Sequence, residues 1–416
     1  MSFFTTAARI WLTRSAAPFR FTAQNDAALR YDDAPGLGLY VHIPFCRKLC
    51  DFCPYCKQVY EPALVPAYVE ALKSEIHHVG QGVRGRRATS LYFGGGTPAL
   101  LAAELGGAVS ALREHFIISE GIGVELHPAD VNVRTLSLLR EAGVDRISIG
   151  IQSFLPEFAK PLGRPAPDPA ALAAALAEVP FPTVSMDLIF ALPGQETEHV
   201  LQDIRTAFAA GANHIATYPF IDFSFTGSRV AAQSKQQKRR LLDALTHYCA
   251  AEGLVRDSLW TFARPGEHRY SSMTRDCFLG FGCSATTLLR DSVKINTFSV
   301  PAYIERVRSG QLPTSLTTRF TRRQRMVYWL FWQAYSMWVS AEDFRAFFGC
   351  SLESVFGSVL LAARLAGFIR REPGGYRLTP KGAFYFHHYE SFYTLAYIDK
   401  MWGILRHEDF PQEIVL

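Results

Sequence analysis

Residues 40–56 read YVHIPFCRKLCDFCPYC and hold four of the chain's eight cysteines, Cys46, Cys50, Cys53 and Cys56. The others, Cys249, Cys277, Cys283 and Cys350, are scattered. Clustered cysteines in a chain with no secretory leader read as metal or redox chemistry before disulfides. A structural zinc site wants a second Cys/His pair some distance away, and none follows. A C-x-x-C redox pair belongs at the start of a helix in a short thioredoxin-like unit, whereas this one lies among aromatics and proline. The spacing favours an iron–sulfur site over both. Three thiolates at C-x3-C-x2-C, from Cys46, Cys50 and Cys53, hold three corners of a [4Fe-4S] cube that normally takes four protein ligands, and one iron stays open.

Outward from this stretch, apolar runs alternate with helical periodicity. A strand at 39–43 is followed by a helix over 62–77, with Val65, Tyr68, Val69, Leu72 and Ile76 at helical spacing. Strands are predicted at 90–93, 123–126, 146–150, 184–189 and 214–218, and helices at 102–115, 133–142, 170–177 and 197–210, the last closed by Gly211. Six such units argue for an α/β fold with a parallel sheet, a partial (β/α)6 barrel whose site lies at the C-terminal strand ends. The cysteine loop follows the first strand, where such a site is built. Other polar or glycine-rich stretches fall at the same rim: Gly94, Gly95, Gly96 and Thr97 after the second strand, Glu125 at the end of the third, Gln152 after the fourth and Asp187 in the fifth. Glycines permit close approach of the backbone to a ligand, and equally a tight βα turn. Glu125, Gln152 and Asp187 are each explicable as caps or structural hydrogen-bond partners; their recurrence at one rim suggests a constellation fit for ribose hydroxyls.

The open-cornered cysteine motif resembles the radical S-adenosylmethionine (SAM) superfamily. There the amino and carboxylate groups of SAM chelate the open iron, and an electron from the cluster releases a 5'-deoxyadenosyl radical. Taken in order, YVHIPFCRKLCDFC, YFGGGTP, VELHP, RISIGIQSF, GRP, MDLIFALPGQ, FARPG and FLGFGCSAT resemble the HemN-like, oxygen-independent coproporphyrinogen oxidase-like family from about residue 36 to 290. The resemblance implies a [4Fe-4S] cluster, two SAM molecules and a flavodoxin- or ferredoxin-type electron donor. By motif position, Tyr40, Gly95, Gly96, Glu125 and Thr286 would serve the cluster-bound SAM, and Phe52, Thr97, Gln152, Arg164 and Asp187 the second. The residue types suit these roles: an aromatic face for adenine, carboxylates for ribose, and an arginine for a carboxylate.

Three departures limit the transfer. The coproporphyrinogen enzyme has a further cysteine two residues after the third ligand; here Pro54-Tyr55-Cys56 places it three after. An Arg-Tyr-Thr-Ser-Tyr-Pro segment ahead of the first strand is absent. The HNxxYW-like stretch of the heme-chaperone branch is replaced by Tyr270-Ser271-Ser272-Met273-Thr274-Arg275-Asp276. The expectation is therefore an enzyme similar to the class C radical SAM methyltransferases and cyclopropanases, transferring a methyl or methylene group from a second SAM to an unsaturated carbon. The substrate would be a small molecule, a tetrapyrrole or an unsaturated or aromatic metabolite. The alternatives are oxidative decarboxylation of a porphyrinogen propionate and a non-catalytic heme or cluster carrier. Cys56 is expected at the site, as donor to a substrate radical or at the cluster's rim, or else as a structural thiol.

After about residue 318, helices at 321–338 and 352–366 precede a hairpin over 368–378, the order of a winged helix. Arg319, Arg322, Arg323 and Arg325 offer charge for phosphate, yet in the resembled family a similar domain covers the barrel mouth, so nucleic acid is not the expected partner. Three parts are expected: a leading segment 1–35, a barrel 36–300 and a cover 301–416. The 416 residues are 49% hydrophobic and 19% charged, with a net charge of +5, which excludes a disordered or disulfide-stapled chain and gives no electrostatic case for nucleic acid. No window spans a bilayer. Arg9, Arg14 and Arg20, with no acid before Asp26, have the composition of a mitochondrial presequence. A leading segment packed on the domain is the preferred reading, in a reducing cytoplasm.

Overall fold

A computed structural model describes residues 3–23, 29–34, 36–81, 85–227, 230–266 and 276–416, with side chains described for all but 3–5, 8 and 387–396. Residues 270–275, where the chain departs from the heme-chaperone stretch, lie outside the described residues, as do the side chains of most of the aromatic run 387–397.

Residues 37–43, LGLYVHI, have the composition of a parallel strand covered on both faces. They form β1 (Leu37–Ile43), in which Leu37, Leu39, Val41 and Ile43 are at most 2% exposed. Five strands follow in parallel, side by side in chain order: β2 (Leu91–Gly95), β3 (Ile122–Leu126), β4 (Arg146–Gln152), β5 (Thr183–Phe190) and β6 (His214–Pro219). Parallel neighbours need a crossover, and each crossover carries a helix. These are α1 (Val65–Gly80), α2 (Ala102–Arg113), α3 (Val133–Glu141), α4 (Pro169–Glu178) and α5 (Thr197–Ala209), with α6 (Lys235–Ala251) after β6. Each helix packs on the next, so all lie on one outer side, as in a barrel rather than a doubly wound sheet. Because side chains alternate along a strand, the odd positions of β1 meet the helices while Tyr40 and His42 face the inside.

The sheet continues beyond these six units. β7 (Thr261–Ala263) runs antiparallel to β6 at one end. At the other, β8 (Cys277–Phe281) lies parallel to β1 and leads into antiparallel β9 (Thr286–Leu288), β10 (Ser292–Asn296) and β11 (Thr314–Arg319). The stretch around Cys277 and Cys283 is thus a strand and the turn that ends it. Arg20–Thr22 pairs with β11 and with Glu413–Val415, so the first and last parts of the chain share this sheet.

The leading segment packs on the body. Its helix Phe3–Thr13 lies on α8 (Arg322–Tyr335), where Arg323 Nε donates to the Leu12 carbonyl at 2.8 Å. α7 (Val300–Arg308) packs on α1. After α8 come α9 (Ala341–Phe348), which the sequence did not predict, α10 (Leu352–Leu365) and the hairpin of β12 (Ile369–Glu372) and β13 (Gly375–Leu378). Trp338–Ser340 adds a third strand to that hairpin, completing a winged-helix-like arrangement before α11 (Pro380–Leu405). The arginines near 319 have partners within the protein. Arg319 pairs with Asp291 at 3.1 Å, Arg322 donates to the Phe348 carbonyl, and the buried Arg325 donates to Leu289 O at 3.0 Å and to Asp276 O.

Candidate active site

The loop after β1 is tied down on several sides. Gly96 N donates to Ile43 O at 2.7 Å, Thr97 N to Phe45 O at 2.8 Å, Gln58 N to Pro44 O at 2.7 Å and Tyr60 N to Cys46 O at 2.8 Å. Lys57 Nζ donates to the Cys50 carbonyl and, at 2.9 Å, to that of Cys53. The glycine run permits this approach. A Cβ on Gly96 would stand 2.7 Å from Phe45 O, and Gly95, at φ +120°, would place one 2.8 Å from Ile43 O. Only glycine fits such positions. Gly95 and Gly96, expected at the cluster-bound SAM, therefore also seat the cysteine loop on the end of β2.

The three motif thiols sit among partners suited to thiolate. Thr97 Oγ1 donates to Cys46 Sγ at 3.7 Å, and Arg164 Nε to Cys50 Sγ at 3.0 Å. Burial pushes the Cys46 thiol up to about 11 against the Thr97 hydrogen bond, and raises Cys53 against the charge of Lys57. Bare thiolates are thus costly here, and ligation goes with a cation that the ligand brings. Among the described residues, these three are not one of the trios whose ligating atoms all lie within 4.8 Å of one another. Sulfurs on one tetrahedral zinc stand about 3.8 Å apart, given a Zn–S bond near 2.3 Å. The three sulfurs are thus spread more widely than one zinc ion would hold them.

Inside the strand ends lies a chamber with paired carboxylates. Glu125 accepts from Tyr92 OH at 3.0 Å and from Gly95 N at 3.1 Å, and Asp187 accepts from Ser148 Oγ at 3.0 Å. Burial raises Glu125, and burial followed by the charge of Glu125 pushes Asp187 up to about 7. Tyr55 and Tyr218 are 53% and 38% exposed, yet burial raises both phenols. Both phenols also feel the charges of Glu125 and Asp187, so the two tyrosines stand with the two carboxylates at this end of the strands. Tyr40 is close by: a Cβ on Gly94 would touch Glu125 Oε1 at 3.0 Å and Tyr40 OH at 3.1 Å. Gln152 adopts φ +70° where β4 ends, and Ala191 and Ser284 adopt φ +64° and +58° just past β5 and β8. Left-handed non-glycine residues are strained and gather at functional sites.

The structure brings Tyr40, Gly95, Glu125 and Asp187 to this chamber. Arg164 stands between chamber and cluster loop, donating to Cys50 Sγ and, at 2.7 Å, to Gly150 O, with its guanidinium 5.6 Å from the Phe52 ring centre. Phe52 itself packs on the apolar cluster of Phe158, Leu162, Ile189, Leu192 and Phe220. Gln152 Nε2 lies near the same Gly150 as Arg164. Thr97 is turned to Cys46, and Thr286 sits on β9, where its backbone presses on Gly280, the partner of Tyr40 across β8 and β1. Cys56 is brought to Cys283: its thiol donates to Phe298 O at 3.2 Å and its sulfur lies within 4.8 Å of the Cys283 sulfur.

Several site residues escaped the sequence reading. His42 shares hydrogen bonds with Tyr40 OH at 3.1 Å and Cys56 O at 3.0 Å. The alternation in YVHI is the signal that pointed inward. Tyr218, in HIATYP at the end of β6, is legible in the same way. The closing contact is not: Arg406 Nη2 donates to Pro54 O at 2.7 Å and Tyr55 O at 3.0 Å, while the Trp402 ring packs at a tilt, its centre 5.7 Å from that of Tyr55 and 6.1 Å from that of Phe298. The end of α11 thus clasps the cysteine loop.

Residues 40–207 match the profile of the Radical SAM superfamily. Over 361 residues the chain is 27% identical to the heme chaperone HemW of Bacillus subtilis, covering 82% of this chain and 95% of that one. Over 382 residues it is 27% identical to the oxygen-independent coproporphyrinogen III oxidase of Paracoccus denitrificans, covering 83% of each. The fold is that of the Escherichia coli coproporphyrinogen III oxidase HemN, described as a radical SAM enzyme, with a TM-score of 0.76 at 23% identity over 92% of this chain and 98% of that one. These relatives are named for heme and coproporphyrinogen, so the methyltransferase and cyclopropanase expectation finds no support in them. Over most of its length the chain is thus similar to the HemN-like radical SAM proteins, and the cofactors that this likeness implies are a [4Fe-4S] cluster and SAM.

Proposed function

We propose that this radical SAM enzyme acts on a tetrapyrrole, with oxidative decarboxylation of a porphyrinogen propionate as its reaction. The observation that carries the tetrapyrrole is the length of the matches: relatives named for heme and for coproporphyrinogen align over 82% and 83% of the chain, well past the barrel. When bound, the cluster and SAM supply a primary carbon radical that removes a hydrogen atom from the substrate. The protein's part is to hold and to exclude. Cys46, Cys50 and Cys53 would hold the cluster. Glu125, fixed by Tyr92 and Gly95 N, would accept from ribose hydroxyls of SAM, with Tyr40 beside it. Tyr55 and Tyr218 offer flat faces to the pyrrole rings of the substrate, and the Arg406 and Trp402 clasp keeps bulk water from the loop, as a reactive radical requires.

A second reading keeps a second SAM at Phe52, Gln152, Arg164 and Asp187 and transfers its methyl or methylene group. It is favoured by the three-residue step from Cys53 to Cys56, which departs from the oxidase pattern. A flavodoxin- or ferredoxin-type protein would supply the electron in either case. Anaerobic incubation of the cluster-loaded enzyme with coproporphyrinogen III, SAM and a low-potential reductant separates the readings. Carbon dioxide with 5'-deoxyadenosine and no S-adenosylhomocysteine is the expected result. S-adenosylhomocysteine in step with deoxyadenosine would favour group transfer, and tight heme binding without SAM cleavage would favour a carrier.

A further inference from the structure

Two cysteines outside the cluster motif meet in the interior. Cys56 leaves the cysteine loop and Cys283 follows β8, 227 positions later in the chain by their numbers. Their sulfurs and a nitrogen of His42 form a trio of atoms all within 4.8 Å of one another. The meeting is built into the backbone. Tyr68 OH donates to His42 O at 2.7 Å and accepts from Cys283 N at 3.2 Å. Gly282, at φ +93°, would place a Cβ 2.5 Å from His42 O, so the turn that presents Cys283 is pressed onto the strand that presents His42.

The trio does not make a good metal site. His42 has both ring nitrogens engaged, one by Tyr40 OH and one by Cys56 O. That leaves two sulfurs, short of the four donors that closed zinc sites use. Two thiols within 4.8 Å of each other, with no third donor free among the described residues, are instead the ingredients of a disulfide.

We propose that Cys56 and Cys283 form a reversible dithiol–disulfide couple, a two-electron redox site beside the cluster loop and separate from it. The oxidant it takes is a small hydroperoxide, because Cys56 is 8% exposed and Cys283 0%, which excludes bulky disulfides. The two sulfurs have different parts. The neighbouring Cys283 and His42 draw the Cys56 thiol well below its ordinary range, which suits it to attack; burial holds Cys283 well above, as a thiol. The Cys56 sulfur attacks one peroxide oxygen, the O–O bond breaks, and the departing hydroxide takes the Cys56 proton, giving sulfenic acid and water. The Cys283 sulfur then attacks the Cys56 sulfur, the S–O bond breaks, and hydroxide leaves with the Cys283 proton as a second water. Two thiols and one peroxide give one disulfide and two waters, and an added dithiol reverses the change by exchange. Closing the bridge ties the loop that carries the three cluster cysteines to the end of β8.

The test is peptide mapping of the cluster-loaded enzyme, treated without air with one equivalent of hydrogen peroxide, acid-quenched, alkylated and sequenced by fragmentation. The expected result is the loss of two free thiols per chain and one linkage, Cys56 to Cys283, removed by dithiothreitol. The linkage should survive Cys277→Ala, whose cysteine shares a tryptic peptide with Cys283, and vanish in Cys283→Ala. A chain carrying Cys46→Ala, Cys50→Ala and Cys53→Ala, with no cluster to consume the oxidant, should form the same bridge. Unlinked Cys56 and Cys283 in both proteins, sulfinic acid at Cys56, or a bridge to Cys277 would overturn the proposal.

Discussion

The two ends of the barrel use the same strands to opposite purposes. Near the start of β5, Ser185 shares a hydrogen bond with His214 Nδ1 at 2.8 Å, both at most 1% exposed, and burial alone holds His214 down to about 4. Two residues further along β5, Asp187 faces the chamber with its carboxyl pushed up to about 7, and Glu125 is raised beside it. A polar group at the starting end has a local partner and serves stability. At the finishing end carboxylates are held close together without enough donors, an arrangement that stability alone would not select. The cysteine loop, the glycine run and the strained Gln152 all lie at that end.

The contrast is open to direct attack. The largest effect is expected from replacing Cys46, Cys50 and Cys53 together by alanine: iron should fall from roughly four per reconstituted chain to near none, with SAM cleavage lost. Iron analysis and deoxyadenosine assay check this, and retained cluster would remove the basis of the site.

Glu125→Gln comes next. It weakens acceptance from ribose hydroxyls, and losing a charged hydrogen bond should raise the KM for SAM about ten- to hundredfold, by about 1.5–3 kcal/mol. SAM titration of the cleavage rate measures it.

Asp187→Asn carries a pH signature. The folded group titrates near 7 and the unfolded one near 3.9, so its favourable contribution is complete below about 4 and is lost as pH rises through about 7. The SAM-free variant should therefore be more stable than the parent at pH 8, by on the order of 1–2 kcal/mol after solvent screening, and the gap should narrow toward pH 5. Denaturant melts at both pH values test the sign.

Ser185→Ala, at the other end, should cost about 1–2 kcal/mol of stability and leave the KM for SAM unchanged. A shift in KM from that variant would blur the division between the two ends.

Smallest and most local is Arg406→Ala. It removes the donor to Pro54 O and Tyr55 O, so cluster loss to a chelator should quicken several-fold while the barrel's melting hardly moves.

Much of the fold was legible because it is local and periodic. The strand predicted at 184–189 is Thr183–Phe190, and the helix predicted at 133–142 is Val133–Glu141, ended at its start by the Asn132 side chain that accepts from Thr135 N. β9 to β11 were missed: they are short, and only their pairing with β8 and Arg20–Thr22 gives them an edge to lie on. α9 was missed as well, eight residues between two longer helices. In the site, Glu125 and Asp187 could be placed at one rim because strand ends in a parallel barrel coincide. The partners of Arg164 could not: the sequence suits it to a carboxylate, whereas the fold turns its Nε to Cys50 Sγ, 114 residues away.

The sequence by itself determined the cluster ligands, since three thiols seven residues apart end to end are neighbours in any fold of that loop. It determined the barrel too, because six alternations of apolar strand and amphipathic helix bury their faces together in few other ways. Only the tertiary structure decided that Cys56 meets Cys283, that Arg406 clasps Pro54 and Tyr55 across 352 residues, and that Tyr55 and Tyr218 stand together near Glu125 and Asp187. Those contacts join segments far apart in the chain, where no spacing or period links the residues, and they exist only once the sheet has brought the strand ends together.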